Sequence, residues 1–380
     1  MDRICPSGAA WIGVCCLFAL LFAPSPPAMS QPPAYIPELP SLPPPQTQEG
    51  PSPFIVPAYT FPSELSLCGE KAPLHVPQVW EALDREFTIA VYNHAQVILW
   101  LKRSARYFPT IEKKLKEMGM PDDIKYLAVA ESDLMIYAYS PAGAGGPWQF
   151  IKPTASRYGL RQGRFFDDRF SFERSTEAAL NYLKELHDEF GSWTLAMAAY
   201  NCGEARIESE MKQQGEDSYY RLNLPLETER YVLRILAIKV ILSNPEKYGY
   251  RLGDELRYKP QQVDVIEVKF PGPLHMRTLA KACGSHLKEV KELNPEILGY
   301  YFPEGKYEIR LPKGSRYHFQ KFYADWAKGV QRTKHSVHVV KNGDTLLKIA
   351  NKYGVEVDSL KKWNGLKGST IYPSQKLKIY

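Results

Sequence analysis

The chain has 380 residues, 44% of them hydrophobic and 24% charged, with a formal net charge of +6. So small a positive excess, with no segment resembling a nucleic-acid module, excludes a nucleic-acid-binding protein, while mild basicity suits an acidic polymer. Beyond the N-terminal region only Cys68, Cys202 and Cys283 remain, at most one disulfide, so this is no disulfide scaffold; without CxxC, HExxH or calcium-loop patterns, neither a metal nor another cofactor is expected.

Residues 1–30 read as a secretory signal peptide. Arg3 supplies a charged start, Ala9 to Ala23 is apolar, and Ala28-Met29-Ser30 forms an A-x-S cleavage site before Gln31. Val14 before Cys15 is a poor lipoprotein-box residue, so cleavage is expected in place of lipidation. No later stretch could span a bilayer, so no transmembrane helix is expected after cleavage. The predicted location is exported, in the periplasm or cell envelope. Residues 31–62 hold eleven prolines and no lysine or arginine, the composition of an extended tether.

Residues 63–252 carry long amphipathic patterns at 78–102, 109–118, 121–134, 176–189, 195–201 and 228–242. This block is ample for one core, and the spacing predicts a mainly helical domain whose cleft is built from loops and helix ends. Gly119 ends one helix and Pro121 opens the next, with Asp122 and Asp123 at the positive end of its dipole. Ile124, Leu127, Ala128, Glu131 and Leu134 share one face of that helix. A carboxylate on an apolar stripe is desolvated, which favours its neutral form and raises its pKa. A proton donor to a glycosidic oxygen needs that property. A lone glutamate at a helix end more often turns to solvent or caps a loop; the segment that follows weighs against that here.

Gly143-Ala144-Gly145-Gly146-Pro147 cannot form ordinary helix or strand, and its bare backbone can approach a ligand closely. It lacks the GK[ST] ending of a phosphate loop. Trp148 and Gln149 follow: an indole face packs on the C–H face of a pyranose, and an amide can serve sugar hydroxyls. A tryptophan in such a place is also a common core residue. Further on, Trp193, Ala196, Ala199, Tyr200 and Gly203 follow helical spacing, with Gly203 as the stop. Tyr200 is either a cleft residue or a satisfied core tyrosine. Cys202 has no histidine near it in the motif and reads as a small buried thiol.

The run E-S followed by S-P-x-G-A-x-G-x-W-Q-F and P-T-A, from Glu131 to Ala155, resembles the soluble-lysozyme-like lytic transglycosylases of bacterial cell walls. The membrane-bound lytic transglycosylase D group is the nearest type. Two later blocks agree: Ala199-Tyr200-Asn201-x-Gly203-Glu204 and Leu224-Pro225-x-Glu227-Thr228-x-x-Tyr231-Val232. The resemblance implies a lysozyme-like, mainly α catalytic domain with Glu131 as its single acid and Ser132 as the serine after it. It implies that Ser140 and Gln149 bond the sugars, that Tyr200 and Asn201 lie in the cleft, and that Glu227 is a second acidic cleft position. Cys202 departs from the small residue expected there. Ordinary glycosidases flank the bond with two carboxylates. Near Glu131 stands only Asp133, on nearly the opposite helical face; Asp167 and Asp168 belong to another segment, and Glu227 stays open as a second acid. The family solution uses Glu131 twice, first as acid to the oxygen between N-acetylmuramic acid and N-acetylglucosamine, then as base to the muramoyl C6 hydroxyl. A 1,6-anhydro ring closes without water.

Beyond residue 252 an internal repeat appears. A shift of 70 residues aligns Ala280 with Ala350, Gly284 with Gly354, Asn294 with Asn364 and Ile309 with Ile379. Each copy predicts strand, two short helices, strand. In the second copy (336–380) Val337 and Val339 alternate on a strand, Asp344 caps one helix, Asp358 or Ser359 the next, and Leu377 and Ile379 close the sheet. V-K-N-G-D-T-L-L-K-I-A, W-N-G-L and I-Y-P-S-Q-K-L-K-I closely resemble a LysM module, a small α+β (βααβ) unit. That implies glycan contacts at Gly343, Asp344, Thr345 and Asn364. The first copy (260–314) lacks the N-G-D-T turn and reads as structural. Residues 315–335 are basic and read as a linker or solvated helix.

The expected function is a monomeric peptidoglycan lytic transglycosylase acting on glycan strands. A hydrolytic muramidase and a non-catalytic wall-binding protein are the alternatives.

Overall fold

A computed structural model describes residues 57–332 and 336–379. The predicted signal peptide and nearly all of the tether lie outside the described residues. The end of the tether does not stay extended. Tyr59 packs on Tyr92 and Tyr248, and Phe61 on Trp80 and Phe87, so the folded domain begins before residue 63.

A short hairpin, β1 (Ser66–Leu67) and β2 (Glu70–Lys71), precedes eight helices: α1 (Pro77–Val91), α2 (His94–Glu117), α3 (Lys125–Ser132), α4 (Lys152–Arg157), α5 (Phe172–Phe190), α6 (Trp193–Cys202), α7 (Glu204–Gln214) and α8 (Leu226–Ser243). The pattern at 78–102 breaks at Asn93, whose side chain accepts from the Gln96 amide (3.3 Å) and starts α2. That helix then runs through Pro109, where the sequence predicts a gap, so 94–102 and 109–118 are one element. The predicted helix from 121 opens as a 3-10 turn at Asp122–Ile124 and stops at Ser132, two residues early. Helix α8 is the centre of the domain. Its buried residues include Val232, Ile235, Leu236, Ile238 and Ile241, and such all-round burial needs neighbours on every side. Helices α1, α3 and α6 supply them.

The first repeat copy comprises β3 (Val263–Phe270), β4 (Leu274–His275), α9 (Met276–Ala282), α10 (Leu287–Leu293), β5 (Tyr301–Phe302) and β6 (Gly305–Pro312). Strands β3 and β6 pair antiparallel with Ile266 opposite Ile309. Residues 316–332 form α11 (Arg316–Arg332), and this is no linker: Phe319, Phe322, Tyr323 and Trp326 pack on the first copy's core. The second copy comprises β7 (Ser336–Val339), α12 (Leu346–Tyr353), α13 (Val357–Trp363) and β8 (Lys376–Ile379). The expected strand alternation is present, with its valines on the outer face. Val337 and Val339 face outward, while His338 and Val340 are buried. The predicted caps move too: Thr345 caps α12 by accepting from the Lys348 amide (3.1 Å), and Glu356 precedes α13 without a side-chain cap. Asp344 instead bonds His338 (2.9 Å) and the Lys341 amide (2.8 Å).

The first copy docks on the helical domain through backbone. The Asp167 amide donates to the Glu296 carbonyl (2.7 Å) and the Leu298 amide to the Phe165 carbonyl (2.8 Å). Buried Arg310 bridges Glu173 (2.6 Å) and Glu296 (3.2 Å) across the same junction.

Candidate active site

Glu131 occupies the last turn of α3. The chain leaves that helix through two consecutive non-glycine residues in the left-handed region, Asp133 (φ 56°) and Leu134 (φ 59°). Such backbone persists only where its surroundings over-determine it. Here the Asp133 carboxylate accepts from the Trp100 indole (2.6 Å), its carbonyl accepts from Arg103 (3.1 Å), and Leu134 is buried. Asp133 is thereby committed to holding the helix exit.

Glu131 is half-buried as a residue, and its carboxyl lies in dry surroundings. Desolvation pushes its pKa up to about 7; a hydrogen bond donated by Tyr231 and the charge of Arg234 oppose the rise, and the charge of Glu227 adds to it. Tyr231, 2% exposed on α8, is the neighbour of Glu131 that the sequence reading left out. A signal was present: Glu227, Tyr231 and Arg234 fall at i, i+4 and i+7 on one face of α8. Glu227 itself is largely exposed and pairs with Arg234 (3.2 Å). Tyr200 feels the Glu131 charge, and burial holds its phenol well above the ordinary range. Its hydroxyl donates to the Trp148 carbonyl (2.7 Å).

The glycine-rich loop folds back on itself. Gly145 and Phe150 exchange backbone hydrogen bonds (3.0 and 3.2 Å), and the Gly146 amide reaches the Ala138 carbonyl (2.9 Å). What the glycines admit is protein. A Cβ on Gly146 (φ +81°) would lie 1.9 Å from the Arg169 carbonyl oxygen, which forbids any side chain there. The Arg169 guanidinium, 1% exposed, donates to the carbonyls of Gly143 (2.7 Å) and Phe150 (2.9 Å) and pairs with Asp167 (2.8 Å). Asp168, also buried, pairs with Arg161 (2.8 Å) and Arg174 (3.2 Å). Both aspartates are thus spent on structure. Trp148 is fully buried with its indole donating to Thr176 (2.9 Å), a core residue and no sugar platform.

The other sequence candidates fall into two groups. Ser132 and Ser140 brace the loop: the Ser132 hydroxyl donates to the Pro147 carbonyl (2.7 Å), and Ser140 accepts from the Ala144 amide (3.1 Å). Gln149 (φ 47°) donates to the Gly146 carbonyl (2.8 Å) and remains partly exposed beside them. The Asn201 side chain accepts from Thr228 (2.8 Å) where α6 meets α8. In the second copy Asn364 ties α13 to β8, donating to the carbonyls of Leu360 (2.9 Å) and Lys378 (2.8 Å). Asn294 does the same in the first copy toward Val290 (2.8 Å) and Arg310 (2.8 Å). The shared asparagine is therefore part of the βααβ frame, and Asn364 has no amide proton left for a glycan. Gly343, Asp344 and Thr345 stay together at the partly exposed turn before α12.

Comparison with known proteins adds the following. Residues 108–223 match the Transglycosylase SLT domain family and residues 338–379 the LysM domain family. The SLT match ends before α8 and so before Tyr231. The chain is 34% identical over 297 residues to the membrane-bound lytic murein transglycosylase D of Escherichia coli K12, covering 73% of this chain. It spans 64% of that relative's length. Over 44 residues, 12% of this chain and 13% of the relative, it is 54% identical to the probable peptidoglycan endopeptidase LytE of Bacillus subtilis. Among solved structures, the 70 kDa soluble lytic transglycosylase of Escherichia coli aligns at 21% identity and a TM-score of 0.31, over 40% of this chain and 25% of that one.

Proposed function

We propose, for a chain that carries a transglycosylase SLT domain and a LysM domain, that it is a peptidoglycan lytic transglycosylase with Glu131 as its one catalytic carboxyl. The observation that carries this reading is the state of that carboxyl. With a pKa raised to about 7 it is substantially protonated near neutrality, as a proton donor must be, and it can also take the proton back. Asp133, Asp167 and Asp168 are bound into the fold, and Glu227 is paired with Arg234, which leaves no free carboxylate among them for a nucleophile or a second base.

Glu131 protonates the glycosidic oxygen between N-acetylmuramic acid and N-acetylglucosamine, and the C1–O bond breaks. The carboxylate so formed then accepts the proton of the muramoyl C6 hydroxyl while O6 bonds to C1. A 1,6-anhydro end results and no water is consumed. Tyr231 holds the carboxyl by its hydrogen bond through both steps. The LysM domain would hold the glycan through the turn of Gly343, Asp344 and Thr345, and the proposed setting is the cell envelope.

Digestion in heavy-oxygen water tests the chemistry. New ends free of the label support the proposal; labelled reducing ends would mean a muramidase, and no new ends a binding protein. Removing 337–380 should weaken sedimentation with insoluble wall while sparing cleavage of soluble fragments. Equal sedimentation would remove the LysM domain from binding.

A further inference from the structure

Beside the exit of α3 a cleft of about 660 Å³ opens between the helical domain and the first repeat copy. Its apolar wall includes Leu134, Phe172 and Leu293, and Met135 and Tyr137 stand exposed at it. Five charged side chains line it, Arg103, Arg106, Glu173, Glu292 and Arg310. The acids are already paired: Glu173 with Arg310 (2.6 Å) and Glu292 with Lys288 (3.7 Å). The two arginines of α2 are not. Arg103 donates to the Asp133 carbonyl (3.1 Å), and Arg106 donates to the Lys259 carbonyl (3.0 Å) with its guanidinium 5.3 Å from the centre of the Tyr258 ring. Among the described residues neither has a carboxylate within ion-pair distance. Backbone carbonyls and a ring face thus orient both guanidinium groups without neutralising them.

We propose that this cleft binds the carboxylate-bearing peptide branch of the glycan strand, with Arg106, helped by Arg103, taking the carboxylate and the apolar wall taking a side chain. The inference rests on the function proposed above, because the branch must hang from a sugar held at Glu131. Reach permits it. Met135 lies four residues beyond Glu131, so their Cα atoms are at most about 14 Å apart, and an extended branch of four peptide residues spans about 13–14 Å. The volume suits an occupant of that size. A guanidinium fork binds carboxylate bidentately, and it is stronger where no rival anion occupies it.

The test compares two soluble substrates with the full chain: glycan strands bearing their peptides, and the same strands stripped by an amidase. Arg106→Gln should raise KM about tenfold on peptide-bearing strands, leave kcat, and leave both constants unchanged on bare strands. An equal change on both, or none on either, overturns the proposal. A direct measurement separates its failure from that of the catalytic reading. The free peptide released by the amidase is titrated into the wild-type chain, followed by calorimetry, alongside the same peptide with its carboxyls amidated. Binding of the acid and not of the amide is expected whether or not the chain cleaves; equal binding of both, or of neither, overturns the site. Arg106→Lys should fall between wild type and Arg106→Gln, since it keeps the charge and loses the fork.

Discussion

Two glutamates meet neighbouring positions of one turn of α8 and have opposite fates. Glu86, 4% exposed on α1, is gripped by Arg230 (2.7 Å), Arg234 (3.4 Å) and Arg85 (2.6 Å). Glu131 on α3 meets the phenol of Tyr231 and, among the described residues, has no guanidinium within ion-pair distance. Arg230, Tyr231 and Arg234 lie within five residues, so one turn of helix presents a cationic clamp to one carboxyl and a neutral donor to the other. The lesson is that the chemistry of a buried carboxyl is set by the face its neighbour turns toward it. A clamped acid is structure; an unclamped one is a proton carrier.

The sharpest way to break the comparison is to change each acid to its amide. Glu131→Gln removes the proton and should lower cleavage about 10²–10⁴-fold or more in a muropeptide-release assay, with glycan binding kept. The same variant should not be less stable than the wild type. Glu131 has a folded-state pKa of about 7 against a model value of 4.5, so ionising it in the fold is unfavourable. Below pH 4.5 that penalty is absent; it grows as pH rises to about 7 and is complete above, amounting to at most about 3 kcal/mol. Chemical denaturation should therefore show Glu131→Gln gaining on wild type as pH rises through this window. Glu86→Gln should do the reverse to stability, leaving Arg230 unneutralised and Arg234 with Glu227 alone. A loss of about 3 kcal/mol is expected, at the lower end for a broken buried pair because the arginines are partly solvated. Equal effects of the two amides would erase the distinction.

Tyr231→Phe sharpens it at smaller amplitude. The phenol's hydrogen bond holds the Glu131 pKa down, so its loss should move the alkaline limb of the pH–rate profile to higher pH. The rate at the plateau should fall about tenfold from poorer positioning, roughly the 1.4 kcal/mol of one net hydrogen bond. A limb that stays in place would mean that the bond is not formed in the working enzyme.

Much of this was legible, and the failures have physical causes. The apolar stripe through Glu131 was readable because period and burial coincide there. The stripe through Glu227, Tyr231 and Arg234 was as regular, but which acid it faced is a tertiary fact. The glycine run announced a close approach without saying of what; Arg169 lies more than twenty residues away, and nothing local names it as the partner. The pattern left a gap at 103–108 before Pro109, yet α2 is long and packed enough to run through it and absorb one lost hydrogen bond, while Asn93 supplied the real break. In β7 the alternation of the two valines was legible but not which face is buried; His338 takes the inside because Tyr353 and Asp344 satisfy both its ring nitrogens. Asn364 looked like a ligand because it follows a helix in the LysM-like segment; only its twin at Asn294 shows that the frame needs it.

One measurement goes to the centre. Purified peptidoglycan digested by the full chain, with its released muropeptides weighed by mass spectrometry, reports whether the single carboxyl closes a ring or admits water. The account predicts products ending in 1,6-anhydro-muramic acid, lighter by one water than hydrolysed ends and lost in Glu131→Gln. Reducing muramic-acid ends from the wild-type chain would contradict it.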